Sequence, residues 1–163
     1  METLRTMFQH HAWATALLID HCAALPPEQL DLTVPGTAGT IRHTLAHLVA
    51  ADQRYLRRMD GQEPTIQDRE GEPGLADLRA AAERNAARWQ AVLGRLDEID
   101  VTIPGFPDET PPYPEIRHAG DLVVLQAIHH GNDHRTHVCT ILGANGLEVP
   151  ELSGWEYYRV GRG

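Results

Sequence analysis

Four stretches of this chain place apolar residues at every third or fourth position, and proline or glycine closes most of them. That alternation restricts the fold to helices joined by irregular connections. The first stretch runs from Thr3 to Leu25, with Leu4, Met7, Phe8, His11, Ala14, Leu17, Leu18 and Cys22 at helical spacing, and stops at Pro26-Pro27. A second begins at Thr40, carries Ile41, Leu45, Leu48, Val49, Tyr55, Leu56 and Met59, and ends at Gly61. Gly61 to Gly74 reads as a polar loop, and Leu75 to Leu96 as a proline-free, Ala- and Arg-rich third helix whose charged side faces outward. Prolines 104, 107, 111, 112 and 114 forbid a helix interior between Asp97 and Gly120, so a fourth helix starts near Asp121 and runs to Leu142. Ser153-Gly154-Trp155-Glu156 has capping-box spacing and predicts a short terminal helix from Trp155 to Val160. The expected fold is all-α: a four-helix bundle with long connections between helices and a short C-terminal helix, in a single domain spanning 1–163.

An echo runs through the connections. Asp31-Leu32-Thr33-Val34-Pro35-Gly36 precedes helix two and Asp100-Val101-Thr102-Ile103-Pro104-Gly105 precedes helix four, each followed by Ile-Arg-His at 41–43 and 116–118. Two extended connections ending in Pro-Gly turns and a duplicated helix pair explain this equally well.

Composition excludes several function classes. With 23 acidic against 14 basic residues the net charge is −9, which repels a phosphate backbone and argues against a nucleic-acid partner. Every basic residue is Arg, so the chain has neither a Schiff-base lysine nor a Walker-type phosphate loop. Ser153 is the only serine, which rules out a serine triad. No uncharged apolar run is long enough to cross a bilayer, Met1 to Arg5 does not read as a secretory signal, and two cysteines cannot build a disulfide framework. A cytoplasmic protein without a membrane partner is the expectation.

The ten histidines are the chemically suggestive feature. On helix four, His130 and His134 lie one turn apart beside the sector of Val123, Ala127, Val138 and Ile141, while His129 and Asp133 fall outward. An i, i+4 pair can place two imidazole nitrogens on one cation, and it can equally be a polar rim. Helix two offers His43 and His47, again four apart, and periodicity alone does not choose between them or against a solvated face.

The segments Phe8-Gln9-His10-His11-Ala12-Trp13-Ala14, Thr40-Ile41-Arg42-His43-Thr44-Leu45-Ala46-His47-Leu48 and His130-Gly131-Asn132-Asp133-His134-Arg135 resemble the DinB/YfiT-like family of four-helix-bundle metalloenzymes over nearly the whole chain. That resemblance implies an up-down-down-up bundle and a divalent metal, zinc or nickel, held by one histidine of helix two and the pair of helix four. By position these are His47, His130 and His134. Where the family often continues with Gly-Gln after the arginine, Thr136-His137 stands here, leaving His137 as a supporting group, a surface residue or a fourth ligand. Relatives of this kind include metal-dependent hydrolases and S-transferases that use a low-molecular-weight thiol as cosubstrate. A small-molecule substrate and a homodimer are the implied partners. The contrasting expectation is a non-catalytic, stress-associated binding module.

Other residues carry two readings each. Cys22 and Cys139 sit in apolar stretches and read as buried thiols rather than nucleophiles. Asp52 lies mid-stripe on helix two and needs a partner, structural or within a site. Arg135 reads either as a carboxylate clamp or as a solvated side chain. Trp13, Tyr113, Trp155, Tyr157 and Tyr158 read as core and interface aromatics, or as a pocket wall if they gather at the site.

Overall fold

The computed structural model describes residues 2–68, 73–105, 108, 112 and 114–161. Of the residues singled out above, Met1, Pro107, Pro111 and Tyr113 lie outside that set. The four main helices are α1 (Glu2–Ala23), α2 (Ile41–Asp60), α3 (Leu75–Leu93) and α4 (Gly120–Ala144), followed by the single turn α5 (Gly154–Glu156) and a π turn over Tyr157–Gly161. The Thr40 hydroxyl caps α2 by accepting from His43 N, and Gly61, at φ 75°, ends it in the left-handed conformation that glycine adopts without strain. Ser153 caps α5 through Glu156 N, as the capping-box spacing predicts, but the chain beyond it widens to π geometry instead of continuing as an α-helix.

Cross-helix pairs give the directions. Phe8 packs on Trp89 with ring centroids 4.5 Å apart, and Asp20 binds Arg79, so α1 and α3 are antiparallel. Asn85 reaches Val49 O and Trp89 reaches Asp52, so α2 and α3 are parallel. Tyr55 meets His130 and His47 meets His134, so α2 and α4 are antiparallel. His11 lies against Gly131 and Thr15 against Arg135, so α1 and α4 are parallel. The result is an up-down-down-up bundle with neighbours in the ring order α1, α3, α2, α4.

Its apolar interior is split in two. One cluster joins Leu18, Ile19 and Cys22 to Ile41, Leu45, Leu78, Val138 and Ile141; the other joins Phe8 to Leu56, Met59, Trp89, Val92, Val123 and Ile128. Between them lies a buried polar layer of His11, Thr15, Asp52, Asn85 and Arg135. Within it Arg135 donates to His11 and Thr15, Asp52 accepts from Trp89 and Asn85 donates to the Val49 carbonyl, so these buried polar groups find partners across helices. The α3 face is therefore more than a charged exterior: its outward Arg79 and Arg88 pair with Asp20 and Asp60, while Leu78, Asn85 and Trp89 are buried.

Both echo segments do the same job. Leu32 O accepts from Ile41 N at the start of α2, and Val101 O accepts from Ala119 N at the start of α4, at 3.2 and 2.8 Å. Ile103 and Ile116 add a pair of reciprocal backbone bonds in the second connection.

Candidate metal centre

His47 projects from the first half of α2, and His130 and His134 from the middle of α4, where the antiparallel crossing brings the three rings together. One nitrogen from each lies within 4.8 Å of the others. The ring centroids of His130 and His134 are 4.2 Å apart, and those of His47 and His134 are 4.8 Å apart. His47 Nε2 stands 3.2 Å from His130 Nε2. Two imidazole nitrogens bound to one ion at about 2.0–2.1 Å are separated by about 2.9–3.4 Å for bond angles from 90° to tetrahedral, so this spacing fits a shared cation. Tyr55 meets the His130 ring edge-on and forms one wall.

The orientation of His47 has a visible cause. Its Nδ1 lies 2.8 Å from Asp68 Oδ2, and because a carboxylate only accepts, Nδ1 donates and the Nε2 lone pair is left facing His130. Burial by itself would raise the Asp68 carboxyl, but hydrogen bonds from Arg54 and His47 hold it below the ordinary carboxylate range. Asp68 is kept there by Arg54 at 3.0 Å and by a clamp one step away. Buried Gln53 accepts from Thr65 N and Ile66 N and donates to Thr65 Oγ1, which fastens the loop after α2 to the helix.

The two α4 ligand candidates are held neutral. Burial, with the charges of His134 and His47 adding to it, pushes His130 down to about 4. Burial, then His47 and His137, pushes His134 to about 4 as well. Neutral imidazole is the form that offers a lone pair to a cation. The Nδ1 atoms of His134 and His137 are buried without a hydrogen-bond partner among the described residues, so the cluster has more lone pairs and N–H groups than its protein surroundings satisfy. This group could hold a metal ion.

The remaining sequence candidates separate cleanly. His43 is exposed and stacks on His47 at 6.3 Å without entering the group, and His137 meets the back of His134 edge-on at 5.4 Å. Asp52 faces α1 and α3: it accepts from Trp89 Nε1 at 2.8 Å and lies 3.6 Å from His11 Nε2. Arg135 is 4% exposed, which overturns the solvated reading; it donates to His11 Nδ1, Thr15 Oγ1 and Asn132 Oδ1. Gly131 makes this possible, because a Cβ there would sit 2.3 Å from His11 Cε1. Burial raises Cys22 to about 12, and raises Cys139 against the opposing pull of Arg135, so neither thiol is poised as a nucleophile. Tyr157 is buried and packs on Trp13 and His10, whereas Trp155 is 89% exposed and belongs to no core.

Sequence reading did not assign Asp68, which holds His47, or Trp89 and His11, which flank Asp52. Asp68 sits in a loop with no periodicity to mark it; a buried Asp52 in need of a donor was the one available signal for Trp89.

A helical bundle with an inward group of three histidines between two antiparallel helices defines the class: a bundle protein with a candidate metal centre. The chain belongs to the DinB family, whose model matches residues 1–160. No curated protein matches it.

Proposed function

We propose that His47, His130 and His134 hold one divalent ion, zinc or nickel, and that the chain is an enzyme promoting attack by water or a low-molecular-weight thiol on a small electrophile. The observation that carries this is the convergence of three imidazoles with one of them aimed by a carboxylate, the arrangement found where a metal site keeps a position open for chemistry. Bound there, a divalent ion supplies positive charge that acidifies water or a thiol and polarises a substrate.

The protein's own residues define the rest. Asp68 orients His47, Gln53 holds the loop that carries Asp68, and burial keeps His130 and His134 unprotonated at neutral pH. Burial raises Cys22 and Cys139 and Ser153 is spent as a helix cap, so neither thiol nor the serine is activated, which supports a nucleophile drawn from solution. The paired assay is direct: zinc- or nickel-loaded protein with ester and amide substrates, and separately with an electrophilic acceptor plus low-molecular-weight thiols, each against His134→Ala. Product that depends on the metal and on His134 in the thiol assay alone assigns a transferase; the same dependence with esters or amides assigns a hydrolase. Equal turnover by His134→Ala in both assays would contradict the proposal.

A further inference from the structure

On the side of α4 away from the histidine cluster, the first turns of α1 and the C-terminal α5 and π turns enclose a pocket of about 420 Å³. Met7, Ile128 and Tyr157 give it apolar surface, and Thr3, Thr6, His10, His11, Asn132 and Arg135 are among its polar lining groups. Arg135 is the unusual member. It is 4% exposed, yet among the described residues every hydrogen-bond acceptor it meets is neutral: His11 Nδ1 and O, Thr15 Oγ1 and Asn132 Oδ1. The carboxylate of Asp52 stands behind His11, 3.6 Å from that ring's far nitrogen; its charge favours the cation, but no ion pair joins it to the guanidinium among the described residues.

A buried cation with no anion in contact is costly: Asp52 acts on Arg135 only through space, across His11, so an anion that reached the guanidinium would pair with it directly. The hydrogen-bond count says which edge is available. A guanidinium has five N–H donors; Nη1 spends its two on His11 and Thr15 and Nη2 spends one on Asn132, which leaves Nε–H and one Nη2–H unused among the described residues. Nε and Nη2 are the pair with which arginine grips a carboxylate side-on. Asn132, His11 and Thr15 fix the guanidinium in place, so a ligand would meet a preorganised fork and not a mobile side chain.

We propose that this α1–α4 pocket is a binding site for a small organic carboxylate, its carboxyl paired with Arg135 and its apolar body against Met7, Ile128 and Tyr157. Glu2, exposed at the mouth, is the one acidic lining residue among those described, and it disfavours ligands that carry a second negative charge. The site does not share residues with the histidine cluster, so it stands independently of the metal reading.

Benzoate is the probe, with benzamide as its neutral counterpart and inorganic phosphate as a bare anion, titrated calorimetrically into chelator-treated protein. Saturable benzoate binding is expected, with benzamide and phosphate at least tenfold weaker. Arg135→Lys keeps the charge but loses the fork and should weaken benzoate about tenfold or more. Because a change at a buried arginine can disturb folding, Met7→Trp provides the second arm: Met7 is 44% exposed, makes none of the Arg135 bonds, and a larger side chain there fills the pocket and should also weaken binding. His43→Gln, at an exposed residue outside both the pocket and the histidine group, should leave benzoate affinity unchanged. Benzamide or phosphate binding as tightly as benzoate, unchanged affinity in both Arg135→Lys and Met7→Trp, loss of binding in His43→Gln, or no saturation by about 10 mM would each overturn the proposal.

Discussion

Replacing Gly131 by Ala sets two physical effects against each other, and the structure says which one prevails. On helix propensity alone the change should stabilise α4 by about 1 kcal/mol. The added Cβ, however, would lie 2.3 Å from His11 Cε1, 2.6 Å from His11 Nδ1 and 3.1 Å from Arg135 Nη1. Ordinary carbon contacts begin near 3.5 Å, so the imidazole must retreat by roughly 1 Å. It has nowhere to go: His11 is 4% exposed, the Phe8 ring centroid is 5.9 Å from its own, and Asp52 stands 3.6 Å from its far nitrogen. Overpacking of this kind costs about 1–3 kcal/mol, and a weakened buried Arg135–His11 bond adds about 1 kcal/mol. The expected net is a destabilisation of about 1–3 kcal/mol, read as a lower urea midpoint at unchanged slope. In a His11→Ala background the clash is gone and the same substitution should be neutral or stabilising. A stabilised Gly131→Ala single variant, or an equal cost in both backgrounds, would refute the reasoning.

Three further outcomes follow from the site and the polar layer. Asp68→Ala removes the acceptor that orients His47 and should weaken zinc affinity about 10–100-fold in a chelator competition, and unchanged affinity would mean that Asp68 does not aim the ring. Stability of the metal-free protein should fall with pH between about 6.5 and about 4, because His130 and His134 have folded values of about 4 against about 6.5 unfolded, so the unfolded chain takes up protons first. Both rings are half-buried, and after solvent screening each contributes on the order of 1–2 kcal/mol across that window; a His134→Gln profile as steep as the wild type would contradict it. Trp89→Phe strands the Asp52 carboxylate with His11 alone at 3.6 Å and should cost about 2–4 kcal/mol, and a loss under about 1 kcal/mol would show that the bond carries no weight.

How much of this was legible beforehand depends on the range of the interaction. Helix positions were, because Leu45, Leu48, Leu56 and Met59 repeat at helical spacing and Pro26-Pro27 and Gly61 punctuate the runs; the ends of α1, α2 and α4 moved by a residue or two, while α3 stops at Leu93, three residues short of Leu96, because the chain turns at Gly94. The α4 pair His130 and His134 was visible as a local i, i+4 pattern, whereas the preference for His47 over His43 came from family resemblance, since both ride the same helix and only the crossing with α4 separates them. Asp68 was invisible, 21 residues from the histidine it orients and in a loop held by Gln53. For Arg135 the sequence leaves a carboxylate clamp and a solvated side chain equally open, because nothing in one sequence shows that Gly131 lets α1 come close enough to bury it. Trp155, read as a core or interface aromatic, stands 89% exposed, which excludes only the core.

The metal content of untagged protein as isolated, measured by elemental analysis on the wild type and on four single variants, tests the central claim most directly. The account expects close to one zinc or nickel ion per chain, lost in His130→Ala, His134→Ala and His47→Gln, and kept in His43→Gln, whose ring stacks on His47 from outside the group. Full retention by His130→Ala and His134→Ala, or loss in His43→Gln with retention in His47→Gln, would contradict it.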